Sequence, residues 1–227
     1  MNISNILIMG LAAGALGAQE APKLDGRVQL FAEISRPAQI TVAQPSPSPD
    51  LKDQPKRQTG LGIRFLGEVA AHPGWYYELG GMFNTSSKFT FNGQTATGNL
   101  DLTNLKVTES YWSLGAAYMG RSGENLTWGA HLEGRGEYLR ANGPVTYQSN
   151  TTNLNQSTTY LRPWVRGSFD YTFSAIGKDQ HPYIGLDASY ALTQTTQFNG
   201  NILTLDNRTL KALAPRAAAA LYAGIRF

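Results

Sequence analysis

Apolar and polar residues alternate along most of this chain, and the alternation is clearest at its carboxyl-terminal end. From Leu213 to Phe227 every second residue is apolar, whereas the positions between them include Arg216, Tyr222 and Arg226. A period of two is the side-chain period of a β-strand. Seven earlier segments show the same period, so the pattern predicts eight strands. They cover residues 27–42, 61–69, 75–83, 109–118, 126–138, 161–173, 182–192 and 213–227.

The connections between these strands are alternately long and short. Short turns occur at residues 72–74, 120–123 and 177–179. This asymmetry is typical of transmembrane barrels and puts both chain ends at the rim of the short turns. The prolines between residues 44 and 56 exclude a strand there, and Pro37 predicts a bulge in the first strand. The predicted long extracellular loops are residues 44–56, 84–105, 142–157 and 193–208.

One face of the predicted strands carries most of their charge. An Arg facing lipid costs about 2–4 kcal/mol near the bilayer midplane, so we expect the charged face to point into the barrel. The lumen of eight strands is just wide enough for side chains to fill it, and seven Arg can pair there with eight carboxylates. A plugged lumen is therefore predicted. Its charge network comprises Arg27, Glu33, Arg64, Glu68, Glu78, Glu109, Glu133, Arg135, Glu137, Arg162, Arg166, Asp170, Asp187, Arg216 and Arg226.

The opposite, apolar face carries seven aromatic residues next to a short turn or the chain end. In a soluble barrel with this face inside, they would crowd one end of the lumen. In a transmembrane barrel they form a girdle at one membrane interface. Their position predicts that the apolar face points outward. The predicted girdle is Trp75, Tyr77, Tyr118, Trp128, Tyr171, Phe173 and Phe227.

The amino terminus predicts a cleavable signal peptide over residues 1–18, followed by the barrel over residues 26–227. Residues 6–16 are apolar and too few to span a bilayer. Gly17 and Ala18 are small, as a cleavage site requires, and cleavage after either fits the sequence. The first five residues contain no Lys or Arg, which departs from the usual pattern.

Composition excludes several kinds of chemistry. The chain has no Cys, so disulfides, thiolate metal sites and Cys nucleophiles are absent. Its net charge of +3 is thinly spread, which does not favour a nucleic-acid partner. No phosphate-binding loop or metal-ligand spacing occurs, so no cofactor, metal or catalytic residue is predicted. The nearest approach to a catalytic set is inward-facing His131 with Glu133, which Ser113 or Ser168 could approach.

The closing strand, with Tyr222, Ile225 and the terminal Phe227, resembles that of bacterial outer-membrane β-barrels. The architecture of residues 26–227 is similar to the eight-stranded barrels of the OmpA and OmpX type. The resemblance implies a location in the bacterial outer membrane. It also implies that these three residues form an assembly signal, read by the barrel-assembly machinery after periplasmic chaperones have escorted the chain. Outer-membrane lipids are then its permanent partners.

We therefore predict an all-β protein, an eight-stranded antiparallel up-and-down transmembrane β-barrel preceded by a signal peptide. Its predicted function is non-enzymatic, in envelope integrity or in surface interaction through the loops, and the sequence identifies no surface ligand. Three alternatives stay open. They are a narrow channel for small solutes, a lipid-modifying outer-membrane enzyme, and a soluble secreted barrel that binds a ligand.

Overall fold

A computed structural model describes the protein at residues 25–37, 40–42, 51–53, 56–84, 87–90, 92–95, 98–176, 179–193, 211 and 213–227. No helix in these ranges is long and apolar enough to cross a membrane. The described strands are β1 (Gly26–Arg36), β2 (Ile40–Val42), β3 (Leu51–Asp53), β4 (Gln58–Glu68), β5 (Trp75–Asn84), β6 (Ser87–Lys88), β7 (Asn92–Thr95), β8 (Gly98–Asp101), β9 (Lys106–Ser122), β10 (Leu126–Tyr147), β11 (Asn150–Thr172), β12 (His181–Ala191) and β13 (Ala217–Arg226).

Eight of these strands form a closed ring. In order around the barrel they are β1, β4, β5, β9, β10, β11, β12 and β13, and every neighbouring pair is antiparallel. The first and last strands close the ring, with Val28 opposite Ile225. Closure leaves no unpaired edge, which is the condition for a sheet to stand in hydrocarbon. The predicted all-β, antiparallel ring of eight strands is therefore confirmed.

The first predicted strand is too long. β1 ends at Arg36, and residues 40–42 form a separate strand, β2, which pairs with β3 and not with the barrel. Pro37 separates the two because it has no N–H to donate to a sheet. The prediction that residues 44–56 exclude a strand is also wrong, since β3 covers Leu51–Asp53, downstream of the densest prolines.

Two predicted loops contain regular structure. Residues 142–157 form the end of a hairpin, in which β10 runs to Tyr147 and β11 begins at Asn150. Gln148 and Ser149 make the turn with positive φ angles of 54° and 84°. Within residues 84–105, β7 and β8 form a second hairpin, and β8 pairs with the end of β10. Leu100 of β8 and Val145 and Leu154 of the β10–β11 hairpin are buried.

Two predictions fall wholly or mainly outside the described residues. The signal peptide, residues 1–18, is one of them. The loop at residues 193–208 is the other, since only Thr193 of that range is described. Both stay predictions.

Candidate functional site

The lumen of the barrel is filled by charged side chains that the pleat of the strands turns inward. Twelve of the fifteen predicted network residues take part in ion pairs. Arg166 and Glu78 make the shortest contact, and Arg64 lies 2.5 Å from Asp187. Other close pairs hold Arg135 to Glu133 at 2.6 Å, Arg162 to Glu137 at 2.7 Å and Arg226 to Asp25 at 2.8 Å. The other contacts join Arg27 to Asp170, Arg64 to Glu78 and Glu33, Arg135 to Glu33, and Arg166 to Asp187 and Glu133.

Aromatic rings separate the arginines of this network. The guanidinium of Arg135 lies between the rings of Tyr111 and Trp164, 4.3 Å and 4.2 Å from their centroids. Arg64 lies over Phe31 at 3.8 Å. Such cation–π contacts stabilise a desolvated cation from the faces that carboxylates leave free. At this level the arginine side chains thus contact both carboxylates and aromatic rings.

Three predicted members of the network have other roles or no ion pair. Glu68 lies at the short-turn rim, where it accepts hydrogen bonds from the backbone N–H groups of Asp25 and Gly74. Glu109 is buried, yet it makes no ion pair within the described part of the chain. Arg216 is half-buried and likewise makes none with described residues. Among the described residues, Glu109 and Arg216 therefore do not form the ion pairs expected of inward charges.

Asp25 completes the network at the short-turn rim, and the sequence patterns did not single it out. Its carboxylate accepts hydrogen bonds from Arg226 at 2.8 Å and from the hydroxyl of Tyr76 at 2.7 Å, and it also pairs with Arg27. It precedes β1 by one residue, so the alternation of the strand does not include it. The only signal for Asp25 was its position two residues before the inward residue Arg27.

Above the charged layers, at the long-loop rim, the interior becomes apolar. Leu139 and Ala141 continue the inward face of β10 beyond Glu137, and they pack with buried residues from the connections. This apolar cap contains Phe89, Leu100, Leu102, Leu105, Val107, Leu139, Ala141, Val145, Leu154, Leu213 and Ala214. Five of its members come from residues 84–107, and four from the two ends of the β10–β11 hairpin. Sequence patterns did not reveal this cap, because most of its members lie in connections that were predicted as polar loops.

A hydrogen-bonded Ser–His–Glu arrangement lies in the middle of the lumen. His131 Nδ1 is 2.9 Å from Glu78 Oε2, and its Nε2 is 2.9 Å from Ser168 Oγ. The Ser is thus Ser168 and not Ser113, and the acid is Glu78 on β5 and not Glu133. Glu78, Ser168 and His131 are 1%, 2% and 4% exposed, so the Ser hydroxyl is buried in the lumen. Arg166 also contacts Glu78 and His131, which embeds the three residues in the charge network.

All seven predicted girdle residues lie on the outer surface at the short-turn rim and are exposed. Neighbours among them are in contact. Trp75 meets Tyr118 edge to face at 5.5 Å, Tyr118 lies 5.8 Å from Trp128, and Tyr171 meets Phe173 at 5.2 Å. These contacts join the girdle residues of β5, β9 and β10.

A second aromatic ring, which the sequence analysis did not single out, surrounds the long-loop rim. Its exposed members are Phe83, Trp112, Tyr138 and Tyr190. On β10, Trp128 and Tyr138 belong to opposite rings and are ten residues apart. At ~3.3 Å per residue and a strand tilt of about 40°, this spacing corresponds to ~25 Å along the barrel axis. That height is the one expected for a membrane-spanning apolar band.

The surface between the two rings is apolar. Within the described strands, no exposed side chain between the rings carries a charge. The large exposed side chains there are Leu30, Ile34, Leu61, Ile63, Phe65, Leu79, Leu114, Leu132, Leu161, Val165, Phe169, Ile184, Leu186 and Leu221. A belt of this extent far exceeds the apolar patches that soluble monomers expose.

The three residues of the predicted assembly signal lie on different faces of β13. Tyr222 is buried in the lumen, 6.2 Å from the ring of Tyr183, whereas Ile225 and Phe227 are exposed outside. The backbone of Phe227 pairs with that of Gly26 through two hydrogen bonds of 2.9 Å. A Cβ on Gly26 would lie 2.5 Å from the Phe227 ring, so glycine is needed for the ring to lie over this position.

The described residues contain no group of three or more His, Asp or Glu side chains arranged to hold a metal ion. No family model matches the chain, and no curated protein matches it.

Solved structures with a similar fold do match. Ail, the attachment invasion locus protein of Yersinia pestis, is 11% identical over 89% of this chain and 98% of its own, with a TM-score of 0.40. Ail in complex with the heparin analogue sucrose octasulfate is 11% identical over 90% and 99%, with a TM-score of 0.44. Neisserial surface protein A is 13% identical over 88% and 95%, with a TM-score of 0.39. At these identities the likeness concerns the fold alone.

Proposed function

We propose that this protein is an integral β-barrel of a bacterial outer membrane, without enzymatic activity and with a plugged lumen. It acts in envelope integrity or in surface interaction through the connections at its long-loop rim. Outer-membrane lipids surround it, and the barrel-assembly machinery inserts it after periplasmic chaperones have delivered it.

The single observation that carries this proposal is the inverted distribution of polarity. Charged residues fill the interior, and the exterior between two aromatic rings is an uncharged apolar belt. In water this arrangement would expose hydrocarbon on every strand of the ring, which opposes solubility. In a bilayer the belt contacts lipid chains. The closed ring meanwhile supplies hydrogen bonds to the backbone N–H and C=O groups of the strands.

Two features support a closed and non-enzymatic barrel. The ion-pair network and the apolar cap occupy successive levels of the described lumen, which supports a barrel closed to water and solutes. The Ser168 hydroxyl, which has the hydrogen bonding of an activated nucleophile, lies inside this packing. We assign His131 a structural role, in which it links Glu78 to Ser168 by hydrogen bonds and takes no part in catalysis.

The proposal is tested by fractionating cells and by gel mobility. The protein should appear in the outer-membrane fraction and should need detergent to stay in solution. It should also migrate differently before and after boiling, because a closed barrel resists dodecyl sulfate until heated. A detergent-free, monomeric protein that stays soluble would contradict a membrane location and support a secreted ligand-binding barrel.

A further inference from the structure

An apolar groove lies on the outside of the barrel in the half of the belt nearest the long-loop rim. Its volume is about 870 Å³, and it runs over β1, β4, β12 and β13. Ala188 and Ala219, which face each other in register, form its floor. Leu61 and Phe83 stand on one side of it, and Leu186 and Leu221 on the other. The width of the groove comes from small outward residues such as Ala188 and Ala219, at positions where much of the belt has large ones.

Two arginines stand at the upper end of this groove. Ile34 and Thr59 both line the groove and are register partners on β1 and β4. Arg36 follows Ile34 by two positions in β1, and Arg57 precedes Thr59 by two, one residue before β4 begins. Since Ser35 pairs with Gln58, the two arginines lie at the same end of this strand pair. Both side chains are exposed, and neither makes an ion pair with a described residue. Like charges on neighbouring strands repel, so an anion between the guanidinium groups of Arg36 and Arg57 stabilises both.

The two rims differ in the charge they present. At the long-loop rim every exposed charged side chain among the described residues is basic: Arg36, Lys56, Arg57, Lys88, Lys106 and Arg140. At the short-turn rim the exposed charges are mixed, with Arg121 beside Glu124 and Asp179. A cationic collar on one side only favours anions in one leaflet of the surrounding bilayer.

We propose that the groove and the arginine pair form a binding site for a lipid with a phosphate-bearing headgroup, in the leaflet at the long-loop rim. An acyl chain lies over Ala188 and Ala219, and the phosphate accepts hydrogen bonds from Arg36 and Arg57. The planar guanidinium suits this contact because it donates two parallel hydrogen bonds to phosphate oxygens. The site rests on the membrane location proposed above, since only hydrocarbon surroundings bring acyl chains to the groove.

The test uses purified full-length protein in detergent, titrated with diphosphoryl lipid A and, separately, with dioleoyl phosphatidylcholine, whose choline neutralises the phosphate. Bound lipid is counted by native mass spectrometry. We expect one lipid A to be retained in preference to phosphatidylcholine. The double variant Arg36→Gln/Arg57→Gln should weaken lipid A binding about tenfold or more, because it removes the charge-assisted hydrogen bonds. Ala219→Leu, which fills the groove, should weaken it to a similar degree.

Matched controls are Arg121→Gln at the other rim and Ala116→Leu, an outward alanine of β9 away from the groove; neither should change binding. Unchanged lipid A affinity in the double arginine variant would overturn the site. A cross-linked dimer that Ala219→Leu abolishes would assign the groove to a second copy of the chain instead. Each preparation is also checked for heat-modifiable mobility. A folded, detergent-requiring barrel without lipid preference rejects this site alone, whereas a protein soluble without detergent rejects the membrane proposal.

Discussion

Arg135 and Glu133, two residues apart on the inward face of β10, are joined by two hydrogen bonds. Nε and Nη2 of Arg135 both donate to Glu133 Oε1, at 2.9 Å and 2.6 Å. The pair is buried, and Arg135 also contacts Glu33. Since both side chains are buried, each member offsets the desolvation of the other.

Truncation of this arginine should therefore destabilise the barrel. In Arg135→Ala, Glu133 loses its closest cation and the rings of Tyr111 and Trp164 lose the group between them, so we expect a loss of about 3–5 kcal/mol. The measurement is urea-induced unfolding in detergent micelles, followed by gel mobility. Arg140→Ala, on the outward face of the same strand, is the control and should change stability little. Similar losses in both variants would argue against the buried network.

The unmutated protein should not conduct ions. The charged layers and the apolar cap close the described lumen at different heights, and acids and arginines occur together instead of in the single-sign ring of a selective pore. Heat-modifiable, folded protein reconstituted into planar bilayers should show no steady current. Long-lived openings would instead support the alternative of a narrow channel.

The orientation of the barrel can be measured with single cysteines, since the natural chain has none. Gln148→Cys lies in the β10–β11 turn, and Glu124→Cys lies in the short turn between β9 and β10. A membrane-impermeant maleimide should label the first in intact cells and the second only after the outer membrane is permeabilised. The reverse result would invert the assigned topology.

Phe227 should matter for assembly more than for stability. Its ring is about half exposed, whereas its backbone already closes the barrel with Gly26 and is kept in Phe227→Ala. We expect this variant to refold in detergent almost as well as the unmutated protein but to be depleted from the outer membrane of cells. Phe173→Ala, at the same rim with similar exposure, controls for loss of an aromatic ring. Equal depletion in the control would mean that the terminal position has no special role.

Ser168 should have no catalytic role. We expect the mass spectrum of lipid A from cells that overproduce the protein to match that from cells without it, and Ser168→Ala to leave it unchanged. Acyl-chain removal that depends on Ser168 would support the lipid-modifying alternative and would require an opening of the lumen.

The alternation of side chains decided much of this protein without tertiary information. A strand turns successive residues to opposite sides as a local property of its backbone, so the inward position of Arg135 and the outward position of Trp128 could be predicted from parity alone. The number of strands in the ring and their antiparallel order followed from the same pattern together with the lengths of the connections.

Polar and apolar residues alternate only where each face of a strand has one kind of surroundings. Elsewhere, side-chain parity does not predict the strand. The β10–β11 hairpin beyond Asn142 lies in water on most of its surface and was predicted as a loop. Residues 84–105 were also predicted as a loop, because the burial of Phe89 and Leu105 depends on packing against Leu139 and Leu213 from distant segments.

Partners of the inward residues were decided by strand register and by closure of the barrel. Parity turns both Ser113 and Ser168 inward, but Ser168 lies opposite Gly129, two residues from His131, whereas Ser113 lies opposite Arg135. Closure with its stagger brings Arg64 of β4 to Asp187 of β12 and leaves Glu109 without an ion pair among the described residues. The sequence thus determines which side of the sheet each residue occupies, and tertiary structure decides its height in the barrel and its partner, because stagger is a property of the closed ring and not of any one strand.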